Sequence, residues 1–247
     1  MTGRLRTGTS GFAYPGWAPR FYPPRTKGAD LLPFYAARLA TVELNNTFYR
    51  SPTPAAVDAW LAATPPDFRF AVKAQRSSSF RSLQPDAAES VEWLTTPFRR
   101  FGERLGTVLF RVPENVRRDD ARLAGLLAAW PRDLPLALEF GDPTWHVDDV
   151  FDAAAAAGAA LVATDREDGD EPPALRRSGR LLYLRLRRPD YPPDELRRWL
   201  DRLEPFLADG LDAYVFFRHD DVGRGAELAV ELLAIAQDAG FAPPVAG

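Results

Sequence analysis

Charged side chains stand inside apolar runs of this chain, where a solvated face does not account for them. Glu43 lies within Thr41-Val42-Glu43-Leu44-Asn45, Lys73 ends Phe68-Arg69-Phe70-Ala71-Val72-Lys73, and Glu139 sits near the end of Leu134 to Phe140. A period-two strand puts Thr41, Glu43 and Asn45 on one face and Val42 and Leu44 on the other. An acid on the inside of a sheet costs free energy unless it is partnered or used. With Asp165, which ends the run from Ala159, the carboxylates form a candidate general acid/base set or ligands for a hard cation such as Mg²⁺. The basic groups interleaved among them favour acid/base work over a dedicated metal cage. Lys73 reads as a desolvated base or Schiff-base nucleophile, or as a fixed cation for a carboxylate or phosphate. The fixed cation is the favoured reading, because no neighbour in sequence marks the amine as deprotonated. Its purely structural role would be an ion pair with Glu43 or Glu139.

Further polar residues close the apolar runs: Thr9, Asn45, Arg111, Arg185, Arg187, Arg218 and His219. The arginines suit a multi-anionic ligand through bidentate contacts, and together these residues form the candidate substrate-binding set. Helix caps and solvated loops compete as explanations for Thr9, Asp165 and Arg187. His146, in Asp142-Pro143-Thr144-Trp145-His146, reads as the start of a helix, since a lone histidine carries no ligand spacing.

The elements that must position these groups alternate. Strands are expected over Leu5 to Gly11, running into a turn, Thr41 to Tyr49, Phe68 to Lys73, Thr107 to Val112, Leu134 to Phe140, Ala159 to Asp165, Leu181 to Leu186 and Ala213 to Phe217. Helices are expected over Asp30 to Leu39, Pro54 to Ala63 with Thr53 as its cap, Ser90 to Phe101, Asp119 to Trp130, Val147 to Ala157, Pro193 to Leu207 and Gly225 to Ala239. Arg76 to Asp86 reads as a Ser/Arg-rich loop, and the segment from Asp165 to Gly179 as a polar one. The breaker-rich stretch Phe12 to Tyr22 reads as an aromatic loop, either a lid at the mouth or an apolar plug. Strict alternation with apolar strands predicts a parallel sheet covered by helices. At 247 residues the size fits one single-domain TIM-type (β/α)₈ barrel, with one helix short or irregular. An open doubly wound sheet is the runner-up and lacks its Gly-x-Gly-x-x-Gly turn. In a barrel, the strand ends named above meet at one mouth.

Composition narrows the classes. The chain has no cysteine, two histidines and a net charge of −3, with a pI of about 5.5. This disfavours disulfides, thiol chemistry and zinc sites and gives no basic footprint for nucleic acid. No nucleotide motif implies a cofactor. No apolar run reaches the about 20 residues that span a bilayer, and the N-terminus lacks a signal-peptide core. The expectation is a cytoplasmic protein with a small polar or anionic ligand and no membrane partner.

Several stretches carry a family resemblance. Gly8-Thr9-Ser10-Gly11-Phe12-Ala13-Tyr14-Pro15-Gly16-Trp17, Phe21-Tyr22-Pro23, Val42 to Arg50 and Phe68 to Ala74 resemble the YecE-like family, also called domain of unknown function 72. Val108-Leu109-Phe110, Leu138-Glu139-Phe140, Pro143-Thr144-Trp145 and Tyr183-Leu184-Arg185-Leu186 extend the likeness over nearly the whole chain. The resemblance implies a TIM barrel and a polar pocket carrying Glu43, Asn45, Lys73, Glu139, Asp165 and Arg185, without supplying a reaction. This chain departs from the family pattern at Arg111 (usually Gln), at Gly141-Asp142 (Arg-His), at Arg187-Arg188 (His-Gly) and within Arg218-His219-Asp220 (Asn-Asn). Losing a histidine removes a group that titrates near neutrality. The resulting expectation is an enzyme of lyase, isomerase or hydrolase type acting on a phosphorylated or carboxylated sugar-like metabolite. The alternative is a non-catalytic ligand sensor or partner-binding barrel.

Overall fold

The computed structural model describes residues 2–84, 87–167, 169 and 171–242. Its strands are β1 (Leu5–Thr9), β2 (Thr41–Leu44), β3 (Arg69–Lys73), β4 (Leu105–Val112), β5 (Leu136–Phe140), β6 (Ala160–Asp165), β7 (Leu181–Leu186) and β8 (Asp212–Phe217). All pair in parallel, in the order β1-β8-β7-β6-β5-β4-β3-β2. Helices α1 (Gly28–Ala36) and α2 (Pro54–Ala62) follow β1 and β2, α3 (Arg76–Ser82) and α4 (Ala87–Thr95) follow β3, and α5 (Asp120–Ala129) and α6 (Asp148–Ala157) follow β4 and β5. Helices α7 (Pro193–Ala208) and α8 (Arg224–Asp238) follow β7 and β8.

Local sequence sets these boundaries. The Thr53 hydroxyl caps α2 by accepting from Ala56 N, and Asp119 caps α5 by accepting from Arg122 N, each satisfying a donor that the helix cannot. Gly158 ends α6 at φ 70°, a conformation open to glycine.

Two helical segments differ from the sequence expectation. The expected Ser/Arg-rich loop contains α3, whose inward face is serine: Ser79 and Ser82 are buried and the Ser79 hydroxyl donates to Gln75 O. No apolar stripe announces such a helix. Pro85 and Asp86, the end of that expected loop, lie outside the described residues. The expected helix Ser90 to Phe101 divides into α4 and a 3-10 segment, Thr96–Arg104, that breaks at Gly102 with φ 54°. Pro97 explains the division, because it lacks the N–H that a continuing helix needs. Between β6 and β7 the described residues form no helix, and residues 168 and 170 of that expected polar loop are not described.

β1 and β2 close the barrel through a single bridge, Ser10 to Glu43, with Gly11 N donating to Glu43 O at 2.8 Å. Below it the Tyr35 hydroxyl stitches the seam, accepting from Thr9 N at 2.8 Å and donating to Thr41 O at 3.0 Å. Gly8 permits this approach, since a Cβ there would fall 2.1 Å from Thr41 O.

One apolar layer lies between strands and helices, and a smaller cluster fills the barrel: Ala71, Leu109, Ala137, Ala160, Tyr183 and Phe216, with Leu181, Tyr214 and Val162. These filling residues fix the inward parity of β3 to β8, and the Ser10 and Glu43 side chains, hydrogen-bonded to each other and to Arg187 and Arg185, set it for β1 and β2. Among the described residues, no helix is long and apolar enough to cross a membrane.

Candidate active site

Inward parity carried one step toward the strand C-termini brings Ser10, Glu43, Lys73, Arg111, Glu139 and Arg185 to one mouth, above the apolar filling. Glu43 is fully buried and saturated. Its Oε1 accepts from Ser10 Oγ at 2.9 Å and from Arg185 at 2.8 Å, and its Oε2 accepts from the Tyr183 hydroxyl at 2.7 Å. Burial alone would raise the carboxyl pKa, but Arg185, Lys73 and the Tyr183 and Ser10 hydrogen bonds outweigh it and hold the group below the usual range. Glu43 is therefore a fixed anion.

Arg185 spans the mouth. Its other terminal nitrogen donates to Glu139 Oε1 at 2.5 Å, so one guanidinium lies between the two carboxylates. Burial opposes its charge, but Glu43 and Glu139 more than compensate and raise its pKa. An acid/base pair of carboxyls needs one kept protonated beside its partner; Glu43 does not serve as that acid, because Arg185 and its other partners favour its ionised form. Glu139 Oε2 is buried without a hydrogen bond, Arg111 Nε lying 3.4 Å away as a loose ion pair. Arg111 donates instead to Glu114 at the rim.

Lys73 differs from these arginines. Among the described residues, no hydrogen bond and no ion pair within 4 Å reaches its Nζ, which lies 4.4 Å from the centre of the Phe48 ring. Burial lowers the amine's pKa; Arg185 and Arg111 reinforce the shift and Glu43 and Glu139 oppose it without reversing it.

The mouth encloses a cleft of about 560 Å³. Asn45, Lys73, Arg111, Arg185, Arg187 and His219 line it together with Ser10, Tyr14, Phe48 and Tyr49. Arg187 donates to Ser10 Oγ at 3.0 Å and lies 3.7 Å from Glu43. Tyr14 stacks on His219, ring centres 5.1 Å apart and nearly parallel. The aromatic loop thus divides: Tyr14 faces the cleft, while Trp17 and Tyr22 are fully buried and stack on each other, Tyr22 also packing on Phe34 of α1.

Three expected site residues are placed elsewhere. Thr9 and Asp165 have outward parity. The Thr9 hydroxyl contacts Tyr35 and donates to Gly11 O, and Asp165 accepts from Arg188 Nε and the Tyr191 hydroxyl, both at 2.8 Å. Arg218 sits at the rim and donates to Glu167 and to Arg187 O. The candidate substrate-binding list also omits Ser10 and Tyr183, both tied to Glu43. Their signal was parity, since Tyr183 precedes Arg185 by two residues.

A second, larger cleft of about 650 Å³ opens beside the mouth, between β5, β6 and β7. β5 and β6 pair only at Ala137–Ala160 and Leu138–Leu161, so the strands part toward their C-termini, and outward aliphatic side chains such as Leu161, Leu182 and Leu184 line much of the gap. Glu139 and Arg111 are at its edge. In the cleft at the mouth, by contrast, the cations Lys73, Arg111, Arg185 and Arg187 converge on polar groups. Among the described residues no group of three His, Asp or Glu side chains is placed to hold a metal ion.

The profile of a family described as "Protein of unknown function DUF72" matches residues 6–245. The chain belongs to the DUF72 family. A crystal structure of a DUF72 family protein from Thermotoga maritima superposes with a TM-score of 0.81 at 23% identity, covering 95% of this chain and 99% of that one. One from Enterococcus faecalis V583 superposes with a TM-score of 0.75 at 18% identity, covering 95% and 98%. Likeness at these identities shows a shared fold. In sequence, the UPF0759 protein YunF of Bacillus subtilis is 26% identical over 141 residues, a match spanning 53% of this chain and 50% of that protein. This DUF72 chain therefore has the TIM-like barrel of its relatives.

Proposed function

We propose that this protein is an enzyme that acts on a small anionic, sugar-like metabolite at the C-terminal mouth of its barrel. The observation supporting this is the charge balance. Four cations (Lys73, Arg111, Arg185, Arg187) meet two carboxylates (Glu43, Glu139), an excess of two that Glu114 at the rim reduces to one. Arg111 and Arg187 are the anion clamp, the hydroxyl and amides of Ser10 and Asn45 meet substrate hydroxyls, and Lys73 with Glu139 Oε2 carries the proton transfers. Glu43 and Arg185 position them.

The alternative, a non-catalytic ligand sensor, is favoured by one feature: Arg185 occupies both carboxylates. Thermal-shift screening against phosphosugars, sugar acids and inorganic phosphate tests the reading. Anions are expected to raise the melting temperature in proportion to saturation, and Arg187→Met is expected to remove the effect. Stabilisation that survives both Lys73→Met and Arg187→Met would move the site elsewhere. Turnover of a stabilising compound, lost in Lys73→Met, decides for the enzyme; tight binding without turnover decides for the sensor.

A further inference from the structure

We propose that Lys73 captures the carbonyl carbon of its ligand as a Schiff base, so that the substrate class is a small anionic aldehyde or ketone, such as a 2-oxo acid. This rests on the anion-binding reading of the mouth and specifies its chemistry.

The first argument is that, among the described residues, the Lys73 amine makes no hydrogen bond or ion pair and lies over the Phe48 face. The other cations of the mouth each donate to a protein oxygen: Arg185 to Glu43 and Glu139, Arg187 to Ser10, Arg111 to Glu114. A lysine serving only to neutralise the buried acids would pair with one of them, and Arg185 has taken that role. The second is that its surroundings favour the free amine. Lys73 is buried to 8% exposure; that burial, with Arg185 and Arg111 adding to it, outweighs the attraction of Glu43 and Glu139, and desolvation is a usual means of making a lysine nucleophilic. The third concerns the product. An iminium carries the same single charge as the ammonium it replaces, so the Phe48 face at 4.4 Å and the carboxylates Glu43 and Glu139 can stabilise it as they do the lysine.

The step balances without a co-reactant. The ammonium first gives up a proton, the neutral amine adds to the carbonyl carbon and a proton passes from nitrogen to oxygen; the proton first released then returns to the carbinolamine hydroxyl, which leaves as water while the C=N bond forms, so that ammonium and carbonyl become iminium and water. Glu139 Oε2, buried and without a hydrogen bond, is the carboxylate oxygen left for the proton relay, because Glu43 is saturated. The anionic end of the ligand meets Arg111 and Arg187 on the cleft wall.

Only two lysines occur in the chain, and Lys27 is exposed, which supplies an internal control. The full-length protein is incubated at neutral pH with glyoxylate or pyruvate and cyanoborohydride, then mapped by peptide mass spectrometry. The expected result is a mass gain at Lys73 equal to the carbonyl compound less one oxygen atom. Lys73 should carry most of the label and exposed Lys27 little, because burial favours the neutral amine at Lys73. Inorganic phosphate should suppress the label, and Lys73→Arg, which keeps the charge, should abolish it while phosphate still stabilises the fold.

Equal labelling of both lysines, or none at Lys73 in protein that phosphate stabilises, overturns the Schiff base and leaves the anion site standing. Labelling at Lys73 that neither phosphate nor Arg187→Met reduces supports the amine chemistry and removes the anion site. Absence of both labelling and stabilisation removes both.

Discussion

Arg185 on β7 reaches across the mouth to donate a 2.8 Å hydrogen bond to Glu43 on β2, and both side chains are almost wholly buried. Strands three apart around the barrel are thereby joined by an ion pair at the point where β1 and β2 close with one bridge. Removing one member leaves a buried charge without its counterion. Arg185→Met is expected to destabilise by about 3–5 kcal/mol, and the Glu43→Gln/Arg185→Met double variant by less than the sum of the single changes. Urea unfolding of the cycle measures the coupling, and additive effects would mean that the pair does not act as a unit.

The same pair gives a pH dependence with a defined sign. The Glu43 carboxyl lies lower in the folded protein than its ordinary value of 4.5, so the unfolded chain binds the proton first. Its stabilising contribution is complete above the ordinary value and is lost as pH falls through the depressed one. Melting temperatures followed downward from pH 6 should fall more steeply for the wild type than for Glu43→Gln. Parallel curves would assign acid sensitivity to other groups.

Lys73 should behave in the opposite sense, because burial and neighbouring arginines lower its pKa from 10.5. The folded state then releases the proton first, and stability gains as pH rises from the depressed value toward the ordinary one. Lys73→Met is expected to stabilise by about 1 kcal/mol, the usual scale for relieving a strained functional position, while losing the response to anions. A lower melting temperature would mean that the attraction of Glu43 and Glu139 outweighs the cost of burial.

The seam between β1 and β2 offers a test of the fold itself. Tyr35→Phe leaves Thr9 N and Thr41 O without their shared hydroxyl and should cost about 1–3 kcal/mol. Gly8→Ala places a methyl carbon 2.1 Å from Thr41 O and should cost more, about 3 kcal/mol or beyond. Chemical denaturation ranks the two, and a near-neutral Gly8→Ala would show that the strands can separate at this point.

The alternation of apolar strands and capped helices made the barrel legible in the chain, because each element's period is set by local geometry and each boundary by residues such as Thr53, Asp119 and Gly158. Glu43, Lys73, Glu139 and Arg185 were legible for the same reason: charge inside an apolar strand has few explanations. Helix α3 was not, since its buried face is serine. Nor was the displacement of Asp165 and Thr9, whereas Arg218 shares the parity of Phe216 and is turned aside beyond the end of β8 by Glu167 and Arg187 O. A strand end names a residue near the mouth, but whether its side chain enters depends on the pleat, and the pleat's phase is fixed only when Tyr183, Phe216 and Ala71 fill the barrel. The sequence by itself determined that Glu43, Lys73, Glu139 and Arg185 lie within apolar strands. Which of them pair, and that Lys73 is left over, was decided by tertiary structure, because a single guanidinium on β7 can reach carboxylates on β2 and β5 only after the sheet has closed.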